Sequence, residues 1–306
     1  MAITVEKTVY SKWGNCIRIS NGEVEIFCTI DIGPNIIRCA PIGKPNLFFE
    51  DIDNQTLKDL PDGVFRGTRW QNYGGHRFWV SPEAYPFTYY PAIDNVDYEI
   101  LENGVVLKQC NQEFNNIKLE MTVTMTEDGE ITVVHKLENT GAWEIELAPW
   151  ALTVLTKGGV EIIPQPNRAT DLLANRVLAV WPYTNMGDER VTWSKDYIAL
   201  RQNPQAGDNA FKIGINNEHG YAAYFVNGML FLKNYEQYID GVYQDYGVSF
   251  ETYTNGDIME METLGELALL KPGETTTHTE KWKIFDNVEA PAINDADIKA
   301  KLDKYI

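Results

Sequence analysis

This sequence predicts an all-β fold, a large antiparallel β-supersandwich with few and short helices, on three observations. Apolar and polar residues alternate from the N-terminus onward, Asn-Gly and Asp-Gly pairs punctuate the alternation, and helical periodicity is scarce. Aromatic residues make up 12% of the 306 residues, with 16 Tyr and 8 Trp; strands fill well with such rings, and a surplus suits a stacking surface.

Taken in order, Val24, Ile26 and Cys28 fall on one side of the first clear strand, with Glu23, Glu25 and Phe27 on the other. Residues 56–60 fit one short helical turn. Leu119, Met121, Val123 and Met125 face one way along a second strand. That strand turns at Asp128-Gly129 and returns from Ile131, which is a hairpin signature. The same punctuation recurs at Asn21-Gly22, Asn103-Gly104, Asn227-Gly228 and Asn255-Gly256. Residues 294–305 predict a C-terminal helix, since Asn294 offers a cap, acids fill the first turn and lysines the last. No linker, low-complexity tract or repeat divides the chain, so residues 1–306 are expected to form one domain.

With 44 acidic against 26 basic residues, the net charge of −18 argues against nucleic acid or an anionic membrane as partner. No apolar run is long enough to span a bilayer, and no secretory pattern opens the sequence. Cys16, Cys28, Cys39 and Cys110 lack metal or redox spacing and read as reduced thiols of a cytoplasmic protein. Neither a cofactor motif nor a metal-ligand spacing is present, so no cofactor and no metal are expected.

Two segments carry candidate chemistry. Residues 64–83 hold Arg66, Arg69, His76 and Arg77 with no acid before Glu83, alongside Trp70, Tyr73, Phe78 and Trp79. Flat rings beside guanidinium forks suit a sugar, whose C–H face stacks and whose hydroxyls take directional hydrogen bonds. Gly74-Gly75 permits a sharp bend or a close backbone approach. The alternative is core packing with arginines paired to surplus acids.

The second segment is residues 249–265. Period-2 geometry puts Phe250, Thr252, Met259 and Met261 on a core face, and Glu251, Tyr253, Glu260 and Glu262 on the other. With a two-residue type I′ turn at Asn255-Gly256, Glu251 would oppose Glu260. Crowded carboxylates are unfavourable unless a cation, a shared proton or a ligand compensates them, and crowding raises a pKa into the range of a useful acid or base. A solvated strand face, or a calcium ion held by the acids, are the other readings. Trp150 can face core or cleft, while His135, His219 and His278 read as ordinary strand or turn residues.

Several blocks, residues 73–83, 148–154, 162–165, 253–265, 270–275 and 280–282, together resemble a bacterial domain family of the galactose mutarotase-like superfamily. Residues 33–38 are similar to the strand that opens aldose 1-epimerase domains. The resemblance spans roughly residues 20 to 285. It implies a sandwich with a sugar site on a concave sheet face, where a His acid and a Glu base open and reclose a pyranose ring. Glu260 or Glu262 lies where that Glu is expected. Trp150 stands at the place of the His, which leaves His76 as the expected acid, with Arg77 orienting hydroxyls. Arg69, Trp79, Glu83, Trp150, Glu251 and Tyr253 complete the expected sugar contacts. Two further readings share the cleft: a non-catalytic carbohydrate-binding module, and a polysaccharide lyase or hydrolase relative. In each, the partner is a carbohydrate.

Overall fold

The structure, a computed structural model, describes residues 2–60, 67–110 and 112–306. Arg66 lies outside the described residues. The alternating segments form strands whose two faces meet different surroundings. Ile117–Met125 buries every second residue and pairs antiparallel with Ile131–Asn139 through the Asp128-Gly129 turn. At Asn227-Gly228 both residues have positive φ, 52° and 71°, as a two-residue type I′ turn needs between Val226 and Met229.

Among the described residues the strands make an eleven-stranded, a ten-stranded and a two-stranded sheet. The centre of the first runs Ile36–Pro41, Gly75–Ser81, Ile145–Leu155, Met259–Leu264, Phe250–Thr254 and Phe211–Ile215. The centre of the second runs Tyr221–Val226, Met229–Tyr235, Thr275–Asp286, Ile131–Asn139 and Ile117–Met125. All these neighbours are antiparallel. The sheets pack face to face over one apolar cluster in which Phe48, Phe231 and Trp282 meet edge-on at 5.6–5.7 Å. Each such ring pair adds about 0.5–1.5 kcal/mol beyond its buried area.

The C-terminal helix is present as Asp295–Leu302, with Asn294 Oδ1 accepting from the Asp297 backbone N–H at 3.0 Å. Its Ile298 and Leu302 pack with Val160, Ile162, Phe225 and Leu232, a second apolar cluster on the ten-stranded sheet. No helix among the described residues is long and apolar enough to cross a membrane.

Two local expectations are corrected. Residues 56–60 contain no helical turn: Lys58–Asp59 is a short strand paired with Arg69–Trp70. The 250–264 hairpin is closed by the pair Thr254 and Met259, so Glu251 opposes Glu262 and Tyr253 opposes Glu260. The reason is Asn255, whose Oδ1 accepts the backbone N–H of both Asp257 and Ile258 and builds a four-residue loop in place of a type I′ turn. The register moves by two residues, so every side chain keeps its predicted face.

Candidate functional site

Three cross-strand rows occupy the face of the eleven-stranded sheet turned away from its partner sheet. One row reads Gly75, Val154, Glu260, Tyr253, Lys212; the next reads Arg77, Leu152, Glu262, Glu251, Gly214; the third reads Trp79, Trp150, Leu264. Gly214 leaves room for its neighbour, since a Cβ there would meet Val248 at 2.8 Å and Glu251 at 3.3 Å.

Within these rows Arg77 and Lys212 each lie against an indole and beside an acid. The Arg77 guanidinium sits 4.5 Å from the Trp79 ring centre and donates to Glu260 Oε1 at 3.2 Å and to Asn72 Oδ1 at 3.1 Å. Lys212 Nζ is 4.9 Å from Trp150 and 4.7 Å from Trp181, and contacts Glu251 Oε2 at 2.8 Å and Glu262 Oε2 at 2.9 Å. Trp150 Nε1 donates to the same Glu262 oxygen at 3.0 Å. Cation–ring contacts of this kind strengthen when water is excluded.

Depth divides the acids. Glu260 is 7% exposed and Arg77 9%, whereas Glu251 and Glu262 are 1% and 0% exposed. Burial pushes the Glu251 carboxyl well above the usual carboxylate range, with Lys212 pulling back and Glu262 adding to the rise. Burial likewise raises Glu262, against Lys212 and with Glu260. Burial disfavours the Lys212 charge, but Glu262 and Glu251 overcome it and hold the ammonium protonated. Among the described residues, three buried polar atoms on this face have no hydrogen-bond partner: Arg77 Nε, Glu251 Oε1 and Glu262 Oε1.

Around the floor, Trp79 contacts Trp70 at 5.8 Å, Tyr89 at 5.2 Å and Trp150 at 5.6 Å between ring centres. A crevice beside Arg77 and Trp79, lined also by Arg69, Trp70 and Tyr73, encloses about 30 Å³. That is room for about one water.

The structure brings together Arg77, Trp79, Trp150, Glu251, Tyr253, Glu260 and Glu262. Glu83 is exposed on the following loop and accepts from the Tyr89 hydroxyl. Arg69 is exposed, pairs with Asp59 at 3.2 Å, and reaches only the crevice.

His76 is the principal correction. It does not join the glutamates: adjacent strand residues face opposite ways, and with Arg77 outward His76 points between the sheets. There it is fully buried, with Nδ1 2.8 Å from Thr153 Oγ1 and Nε2 2.7 Å from His135 Nε2. His135 Nδ1 lies 3.0 Å from the His278 carbonyl and must donate to it, so its Nε2 accepts from His76 and His76 Nδ1 accepts from Thr153. Thr263 donates to Glu280 Oε1 at 2.6 Å and so accepts from His278 Nε2 at 2.8 Å.

Glu280 also accepts from Lys233 at 2.8 Å and from Trp282 Nε1 at 2.8 Å. Although donor atoms of His76, His135 and Glu280 lie within 4.8 Å of one another, both ring nitrogens of each of these two histidines are already engaged. Burial depresses His76 well below its ordinary pKa and takes His135 down to about 4, in each case against Glu280. Burial, then His135, lowers His278 to about 3.

Sequence pattern did not single out Lys212, Asn72 or Trp181. Lys212 had a signal, since it alternates with the buried Phe211, Ile213 and Ile215; its two acidic partners lie 39 and 50 residues later in the chain, beyond what alternation reveals.

No protein-family model matches the sequence, and no curated relative matches it. Solved structures do. A galactose mutarotase-like protein from Lactobacillus casei aligns at TM-score 0.57 and 11% identity over 88% of this chain and 100% of its own. Another from Clostridium acetobutylicum aligns at TM-score 0.52 and 8% identity, over 93% and 99%. A TPR-domain containing protein from Parabacteroides distasonis aligns at TM-score 0.57 and 12% identity, over 92% of this chain and 49% of its own. The chain therefore has the galactose mutarotase-like fold.

Proposed function

We propose that the outer face of the eleven-stranded sheet binds an aldose and interconverts its anomers. One observation carries this reading: ring-stacked Arg77 and Lys212 flank three glutamates, and one guanidinium nitrogen and two carboxyl oxygens among them are buried without partners. Buried polar atoms are nearly always satisfied, so these are open valences for a polyhydroxylated ligand. Trp79 and Trp150 offer the apolar planes on which a pyranose stacks.

In the reaction, Glu260 takes the proton of the anomeric hydroxyl while a second group protonates the ring oxygen and the C1–O5 bond breaks. Rotation about C1–C2 and the reverse transfers close the ring as the other anomer. A non-catalytic carbohydrate-binding module is the second reading, favoured by the turning of His76 away from this face.

Calorimetric titration with a panel of aldoses, paired with polarimetric decay of a pure anomer, tests both. Saturable binding with faster decay is expected, and Trp79→Ala is expected to weaken binding at least about tenfold. Binding without acceleration leaves the module; no binding to any sugar ends both readings.

A further inference from the structure

The reaction proposed above needs an acid, and the outer face offers no imidazole among the described residues. It offers instead two opposed carboxyls and one ammonium. Glu251 and Glu262 are register partners on neighbouring strands, both buried, and Lys212 Nζ bridges their Oε2 atoms. Among the described residues no second cation contacts this pair, although Arg77 acts on Glu262 from a distance. Arg77 is engaged with Glu260, and Lys233, beneath the sheet, is engaged with Glu280. Asp245 on the 244–247 turn and Glu260 on the strand itself add negative potential, and Glu161, Tyr183 and Tyr253 are further titratable neighbours. Two buried carboxylates against one cation leave a net negative charge that a single proton would cancel.

The geometry also says where that proton sits. Glu262 Oε2 already accepts from Lys212 and Trp150, and Glu251 Oε2 accepts from Lys212. In both residues Oε1 has no partner. A proton on either carboxyl therefore occupies Oε1, where it has no acceptor until a ligand brings one.

We propose that Glu251 and Glu262, clamped by Lys212, share one proton on an open Oε1, and that this proton is the acid that opens the sugar ring. The proposal rests on the anomer-interconverting reading. In the step, O5 receives this proton as C1–O5 breaks, Glu260 holds the proton from O1, and ring closure returns each to its origin. No proton is gained or lost in the cycle. Burial raising both carboxyls, against Lys212, is consistent with it.

The test combines infrared spectroscopy of glutamate-labelled protein at pH 7 with NMR anomer-exchange rates, on the wild type, Glu251→Gln, Glu262→Gln and Glu260→Gln; Glu161, which burial pushes up to about 8, has a protonated-carboxyl band of its own, identified as the one lost in Glu161→Gln and subtracted from every spectrum. The amide is isosteric and leaves one carboxylate for one ammonium, so the first two variants are expected to fold and to lose the protonated-carboxyl band. Glu260→Gln is expected to keep it. Exchange is expected to slow about 10²-fold or more in Glu251→Gln and Glu262→Gln, with sugar Kd within a few-fold of wild type. Absence of the band from the wild type, or its survival in both variants, overturns the shared proton. Acceleration that survives both substitutions overturns the acid role and leaves the enzymatic reading standing. A wild type that binds sugar without acceleration overturns that reading and the acid role with it, while the band still decides the shared proton.

Discussion

With its ammonium 2.8 Å from Glu251 and 2.9 Å from Glu262, Lys212 compensates two carboxyls that have almost no contact with water. Removing one partner of a buried ion pair strands the other, typically at about 3–5 kcal/mol. Lys212→Met is expected to lose stability on that scale at pH 8, and less at pH 5.5, where the stranded carboxyls take up protons. Urea denaturation of variant and wild type at both values checks this; an equal deficit at each would contradict it.

The wild type's own pH profile follows from the same residues. Glu161, pushed by burial up to about 8, is protonated in the fold where the unfolded chain is not, and so is the Glu251–Glu262 pair by the one proton it shares. Their contribution is therefore lost as pH rises from about 4.5 toward 8. His135 and His278, lowered to about 4 and about 3, act oppositely: theirs is complete above 6.5 and lost as pH falls below it. The Lys233 ammonium, with the three imidazoles, overcomes burial and holds Glu280 below the usual range, so its contribution is lost below 4.5. Denaturation midpoints should form a plateau between about 4.5 and 6.5, falling gently above it and steeply below. Stability that rises between pH 6.5 and 8 would sink this assignment.

Among the elements, the Gly75–Ser81 strand depends most on its entry. Gly74 and Gly75 have φ of +91° and +65°, and a Cβ at Gly75 would lie 2.3 Å from the Ile36 carbonyl oxygen. Neither strain nor clash is relieved by a side-chain rotation, because the obstacle is backbone. Gly75→Ala is expected to cost roughly 1–3 kcal/mol or more and to disturb Arg77 two residues on; a melting temperature within a degree of wild type would refute that.

The glycine pair was legible in the sequence, as were the hairpins, the C-terminal helix and the face on which Glu251, Glu260 and Glu262 gather. Period-2 alternation survives an error in turn length, so the late hairpin kept its faces although Asn255 capped a longer loop than a type I′ turn. What alternation cannot give is which strand comes to lie alongside. Lys212 beside Glu251, and His76 against His135, join distant segments through sheet order and sheet stacking.

Across the whole molecule, the two faces of the eleven-stranded sheet keep two polar systems apart. The interlayer network of His76, His135, His278, Lys233 and Glu280 is closed, with each of these side chains partnered within the core. The outer face is open, with Arg77 Nε, Glu251 Oε1 and Glu262 Oε1 unpartnered. Residues 76 and 77, neighbours in sequence, belong one to each, and substitutions there should separate stability from ligand affinity. His76→Ala removes the partner of Thr153 and of His135 and opens a cavity in the core, a loss expected at about 3 kcal/mol. Its sugar affinity, measured below its melting transition, should stay within about threefold of wild type. Arg77→Met exchanges the guanidinium over Trp79 for an apolar side chain and leaves Glu260 at 7% exposure, within reach of water, so its stability should change by only about 1 kcal/mol. Its affinity should fall at least about tenfold, because a guanidinium that both neutralises Glu260 and presents a free N–H is gone. Equal losses of sugar affinity in the two variants, each folded at the temperature of measurement, would mean that the imidazole network feeds the ligand after all and that the sheet does not insulate one face from the other.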